Sequence, residues 1–265
     1  MIKEVNITGM EQLIYELNNL SNSFVFRGHA NCKWNLESTL ERLLSSNLTA
    51  ERLLAYEEYS VKLFKSKFNI YNAKEKEPDS TLSWLAMMQH YGVPTRLLDF
   101  STSPYVALYF AIEERNGNTQ EDLCVFAFDY TAINEIGITQ LKSTDSEFKL
   151  SQIEASHKSD HVFETTINRF SYNMAWVTEP GELNGRIDRQ SGCFMICCNK
   201  GAKLQDILNS EIYSSCDMFK FIIPKDFYHS IYALLRKMNI NGKTLYGDLQ
   251  GLGRSIKMEL SVYST

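Results

Sequence analysis

Apolar residues recur along this chain with two periods, close to four and close to two. "MEQLIYELNNL" puts Leu13, Leu17 and Leu20 on one face and predicts a helix. "SFVFRG" then predicts a short strand. From Thr49 to about Tyr71, Leu53, Tyr56, Phe64 and Phe68 form a helical stripe, widened by Leu54 and Val61. "NAKEKEPDS" is charged and unpatterned and predicts a loop. Ser80 caps a helix carrying Leu82, Leu85 and Met88, which Gly92 and Pro94 end. "LCVFAFD", "GCFMICC" and "MFKFIIP" predict strands, and "KDFYHSIYALLRKMNING" a helix that stops at Gly242. Residues 131 to 190 are poorly readable and suggest a partly irregular insertion. Helices and strands mix without a regular βαβ rhythm, so the expected class is α+β, a mixed sheet core with flanking helices.

One corner stands out. In "LLDFSTSPYVALYFA" a strand meets a helix through Ser101, Thr102 and Ser103. Ser103 before Pro104 is a strong helix start, because the serine oxygen accepts from a first-turn N–H and proline lacks an N–H that had no partner there. Val106, Ala107, Phe110 and Ala111 mark the buried face, and Asn116-Gly117 is the expected stop. Capping accounts for Ser103 alone; Ser101 and Thr102 call for another reason.

Composition removes several classes of function. The length, 265 residues with 44% hydrophobic and 22% charged, suits a globular core. No stretch reaches the roughly 20 apolar residues of a membrane span, and the first twenty residues lack a signal-peptide pattern, so the expectation is a cytoplasmic protein that contacts no membrane. The six cysteines form no CxxC pair, and those in "GCFMICC" read as small buried hydrophobes, so neither a disulfide framework nor a metal site is expected. A net charge of −5 argues against nucleic acid as a partner, which would need many phosphate-neutralising cations.

Four polar clusters carry candidate chemistry. Arg27, Gly28 and His29 close "FVFRGH", where an arginine beside a glycine reaches an anion while the backbone comes close. The structural alternative pairs Arg27 with an acid such as Glu37. "QHYGVPTRLLD" brings His90, Tyr91, Arg96 and Asp99 near one turn, with Arg96 and Asp99 open to a structural pairing. "DFSTSP" offers a helix start that favours a phosphate, and hydroxyls that suit a ribose. "NGRIDRQSGCF" brings Arg186, Asp188, Arg189 and Gln190 to a strand entrance.

Taken together, "FVFRGH", "WNLESTLER", "WLAMMQHYGVPTRLLDFSTSPYVALYFA", "RIDRQSGCF" and "LYGDLQGLG" resemble the FRG-domain family, whose Phe-Arg-Gly run is Phe26-Arg27-Gly28 here. The resemblance is strongest over 21–130 and continues weakly to about 255, which reads residues 1–265 as a single FRG domain. The family occurs in bacteria and phages, often near mobile elements or defence genes.

The order of motifs is also similar, more distantly, to the ADP-ribosyltransferase superfamily. That resemblance implies that NAD is the substrate, with Arg27, Gly28 and His29 on the first strand and Ser101, Thr102 and Ser103 around the nicotinamide ribose. Tyr91 would stack on the ring. A glutamate is expected before "GCFMI", where this chain has Gln190, with Glu179 and Glu182 upstream. Gln190 with Glu182 is therefore the expected catalytic pair. The implied function is an effector or toxin in phage–host conflict, acting on a protein acceptor. A noncatalytic nucleotide-sensing module of a bacterial defence system and a nucleic-acid-binding or processing domain stay open as alternatives.

Overall fold

A computed structural model describes residues 1–72, 75–115, 119–181 and 185–263. The fold is α+β. Seven strands form one mixed sheet: β1 (Lys3–Asn6), β2 (Phe24–His29), β3 (Leu97–Ser101), β4 (Leu123–Asp129), β5 (Ala175–Thr178), β6 (Gly192–Cys197) and β7 (Met218–Ile223). Their order is β1-β7-β4-β2-β3-β6-β5. β1 runs parallel to β7, and the other pairs are antiparallel.

Alternation along β2 sets the two faces of the sheet. Phe24 and Phe26 enter one core, with Val125, Ala127 and Phe221. Val25 enters the other, with Phe126, Phe128, Leu98 and Phe100. Helices cover both faces. The amino-terminal ones are α1 (Met10–Asn18), α2 (Thr39–Leu44), α3 (Ala50–Tyr71), α4 (Thr81–His90) and α5 (Pro104–Glu113). Next come α6 (Tyr130–Thr144), α7 (Gln152–His157), α8 (Ser159–Val162), α9 (Gly185–Arg189) and α10 (Leu204–Leu208). The chain ends in α11 (Tyr228–Lys237), α12 (Gly242–Tyr246) and α13 (Leu249–Tyr263).

Local signals placed about half of these elements. Thr49 caps α3 by accepting from the Arg52 N–H, and Ser103 caps α5 by accepting from the Val106 N–H. Departures from expectation have tertiary causes. The predicted stripe of α3 is turned: Tyr56 is exposed, and Glu57, one residue on, is buried. Glu57 faces inward because Arg96 does, with Arg96 Nε 3.1 Å from Glu57 Oε2 in an ion pair outside hydrogen-bond geometry. Arg96 also donates to Asn168 Oδ1 at 2.5 Å and lies over the Phe163 ring. So Arg96 pairs with Glu57 and not with Asp99.

The segment 131–190 is largely regular. It carries α6 to α9, a π-helical turn over Phe163–Ile167 and strand β5. Gly242 does not end a helix; α11 stops at Lys237, and Gly242 opens α12 behind an Asn241 cap. The expected helix stop at Asn116-Gly117 lies outside the described residues.

Candidate functional site

The site begins where two neighbouring strands part. β2 pairs with β4 at all six of its residues, from Phe24 to His29. Its ladder to β3 holds only one pair, Phe26 with Ser101. Continued, that register would set Gly28 opposite Asp99. The strands diverge instead, and the Arg27 guanidinium spans the gap: Nη1 donates to the Asp99 carbonyl at 2.6 Å and Nε donates to His29 Nε2 at 3.0 Å. Burial, reinforced by the charge of Arg42, lowers the Arg27 pKa, and Asp99 opposes the shift. The guanidinium stays charged across any working pH, since its ordinary value lies so high.

Gly28 sets the depth of the cleft. α5 crosses β2 so closely that a Cβ on Gly28 would stand 1.9 Å from the Ala107 carbonyl oxygen and 2.7 Å from the Ala111 nitrogen. Only glycine lets strand and helix approach to that distance. The resulting cavity, about 320 Å³, lies over the parted strands and between α4, α5, α9 and α12. Arg27, Gly28, Asp99, Ser101, Glu113 and Gln190 are among its lining residues.

The three hydroxyls of the corner have separate tasks. Ser101 is buried; its Oγ donates to the Gln190 carbonyl at 2.7 Å and accepts from the Ser103 N–H at 3.0 Å. It lines the cavity and ties β3 to the entrance of β6. Thr102 is exposed and lines a separate cavity of about 200 Å³ with Glu179 and Cys193. Ser103 is the helix cap. Of the expected site residues, Arg27, Gly28, Ser101 and Gln190 therefore line one cavity. His29 stands behind Arg27 as its acceptor. Tyr91 is exposed, donates to Glu75 Oε1 at 3.2 Å and lines a neighbouring cavity instead. Glu182 lies outside the described residues. The Arg27–Glu37 alternative does not form, because Glu37 pairs with Lys203 at 2.9 Å.

Among the described residues, two carboxylates line the cavity. Asp99 accepts from Gln89 Nε2 at 2.6 Å through Oδ1. Gln89 is itself fixed by accepting from the Thr95 hydroxyl through Oε1. Glu113 accepts from the Tyr109 and Tyr246 hydroxyls, each at 2.9 Å, and pairs with Arg254 at 3.2 Å. Gln89, Glu113 and Tyr246 carried no local chemical signal. Glu113 could be placed only by its position one turn beyond Tyr109 on α5, and Tyr246 only by its place in "LYGDLQGLG".

The imidazoles near the site have lowered pKa values. Burial, with the charge of Arg27 behind it, brings His29 down to about 3 from 6.5. Burial and then Arg186 lower the pKa of His90, which also lines the cavity. The cavity thus offers a cation at Arg27, a carboxylate at Asp99 and an imidazole at His90.

Residues 22–120 match the family model of the FRG domain. The chain carries an FRG domain. No curated protein and no solved structure matches it. The matched residues hold β2, β3, α4 and α5, hence Arg27, Gly28, Gln89, Asp99, Ser101 and Glu113. The rest of the wall, Arg186, Gln190 and Tyr246, comes from residues after the matched stretch. The cavity is complete only with both parts.

Proposed function

We propose that this chain binds NAD in the cavity between β2 and β3 and transfers its ADP-ribose unit, as the resemblance to ADP-ribosyltransferases implies. One observation carries the reading: Arg27 and Ser101, far apart in sequence, line the same cavity. Guanidinium donors suit phosphate oxygens, and a short hydroxyl at a strand end suits a ribose. The cavity volume, about 320 Å³, falls within the range of small-molecule sites and extends toward a second cavity of about 500 Å³.

The chemistry follows from the charges. The bond between nicotinamide and the ribose breaks, nicotinamide leaves with the electron pair, and positive charge develops on the sugar. An acceptor nucleophile then forms the new bond to the ribose carbon and gives up its proton. A carboxylate facing the ribose stabilises that positive charge. Glu113 has both oxygens engaged by two hydroxyls and an arginine, so it serves as a structural anion. Asp99 commits one oxygen to Gln89, and it is the carboxylate that suits this task and the acceptor's proton. Arg27 would orient the phosphates.

A second reading, a sensor that binds without turnover, is favoured by Gln190. It stands at the expected glutamate position, is neutral, and donates its amide to the Leu245 carbonyl at 3.3 Å. Incubation of the chain with labelled NAD and cell lysate separates the two. Labelled protein together with released nicotinamide supports transfer. Saturable binding with neither product supports the sensor, and absence of binding at millimolar NAD removes both.

A further inference from the structure

Helix α13 carries two apolar faces. Five large apolar side chains point to solvent along it: Leu249, Leu252, Ile256, Leu260 and Tyr263, between 40% and 85% exposed. With about 100° of rotation per residue, they fall within an arc of roughly 80° and form one continuous stripe. Single exposed apolar residues are ordinary on a surface, but a contiguous stripe marks a contact.

The other face holds α13 to the body of the protein. Gly251 and Met258 are buried on it. Arg254 pairs with Glu113 at 3.2 Å and with Glu114 at 3.1 Å. The Tyr263 hydroxyl accepts from Arg236 at 3.2 Å, which fixes that end of the stripe. So the stripe faces outward because the helix is anchored from behind.

The spacing of the stripe selects its occupant. It reads the same from either end: Leu252 and Leu260 flank Ile256 at equal distance, and Leu249 and Tyr263 do so farther out. A two-fold axis through Ile256, normal to the helix, therefore lays the stripe upon itself. Leu249 meets Tyr263, Leu252 meets Leu260, and Ile256 meets its own copy. A two-fold interface requires this self-complementarity, because one patch serves both sides. The two helices then run antiparallel, which opposes their dipoles. No charged side chain lies within the stripe. Lys257 and Glu259 border it, and Lys257 is offset by Glu114 at 3.5 Å. The five side chains bury on the order of 600 Å² per copy, which reaches the lower end of the roughly 1,200–2,000 Å² total of specific interfaces.

We propose that α13 is a dimerisation helix, through which two copies of this chain pair antiparallel about Ile256. The pairing stands independently of the nucleotide reading. For an interface of this size, association in the micromolar range is expected, about 1–100 μM.

Sedimentation of the whole chain across that range tests it, and a concentration-dependent dimer is expected. Ile256→Asp sets two carboxylates on the axis and should weaken the dimer by about tenfold or more. Ile256 is exposed, so the fold should survive; Leu260→Lys is the second variant if it does not. Disulfide cross-linking tests the geometry in a Cys32→Ser background, since Cys32 is half-buried and the other five cysteines are buried. Ile256→Cys should link to itself, because the two copies face each other across the axis. Leu249→Cys and Tyr263→Cys should each link poorly alone and efficiently when mixed. A chain that stays monomeric throughout the range overturns the proposal, as does a dimer that neither charged variant weakens. A dimer that Ile256→Cys cannot link, or that Leu249→Cys links efficiently on its own, overturns the antiparallel axis.

Discussion

Arg27 donates to the backbone carbonyl of Asp99 at 2.6 Å, across the gap where β2 and β3 cease to pair. A side chain thus stands where a strand ladder would have placed a backbone N–H. The contact does two things. It satisfies a carbonyl at the open edge, and it fixes a guanidinium at the mouth of the cavity.

Arg27→Ala should separate binding from folding. Its acceptors are a carbonyl and an imidazole, and no carboxylate within its bonding reach is left buried by its loss. Nucleotide affinity should fall by about 2–5 kcal/mol, and folding stability by about 1–2 kcal/mol. Arg27→Lys should restore part of the affinity. A titration and a urea melt on each variant check this; a large stability loss with intact affinity would assign Arg27 to the scaffold.

Gly28→Ala should damage the fold through α5. The added methyl meets backbone atoms of Ala107 and Ala111, which cannot rotate away. We expect a loss of at least about 2 kcal/mol by urea denaturation. Gly253→Ala, in α13 with open space around it, is the control and should stabilise by about 0.5–1 kcal/mol. Equal effects at the two positions would show that the α5 approach is not limiting.

Glu57→Ala should be among the most damaging single changes. It strands the buried Arg96 charge, at a cost of about 3–5 kcal/mol. Replacing both residues with apolar ones of similar volume should recover most of that loss. A denaturant series on the single and double variants measures the coupling, and simple additivity would refute it.

Acid should weaken the fold through His29. Its pKa is about 3 in the folded chain against an ordinary 6.5, because burial and then Arg27 oppose the charge. The depressed value means that its stabilising contribution is complete above 6.5. As pH falls from there toward 3, the unfolded chain takes up the proton and the folded chain does not. The loss over that window amounts to at most about 5 kcal/mol. His29→Gln keeps an acceptor for Arg27 and should flatten this part of the pH profile of the melting midpoint. An unchanged slope in the variant would place the acid sensitivity elsewhere.

Much of the frame is legible in the residues themselves. The alternation in "FVF" divides Phe24 and Phe26 from Val25, and β2 lies between two cores as that pattern requires. Thr49, Ser80 and Ser103 each start a helix, because the capping bond is local and needs only the three residues that follow. Where local signals compete, the reading slips. Tyr56 fits the helical stripe of α3 as well as any apolar residue, yet the chain turns it outward to bury Glu57. Gly242 suits a helix end, yet it lies against the Gly251 carbonyl, where α12 and α13 pack.

The sequence by itself determined about half of the elements, the class of the fold and the presence of an FRG domain, because periodicity, caps and the Phe-Arg-Gly run are written within a few residues of one another. Tertiary structure alone decided which charges meet. Arg96 goes to Glu57, Glu37 to Lys203, and Glu113 to Tyr109, Tyr246 and Arg254. It also decided that Ser101 faces the cavity while Thr102 turns away, and that β2 and β3 part after a single pair. The physical reason is range. A helix cap or a strand period is settled by neighbours along the chain, whereas a buried charge takes whichever partner packing brings within a few ångströms, and that choice depends on the whole sheet.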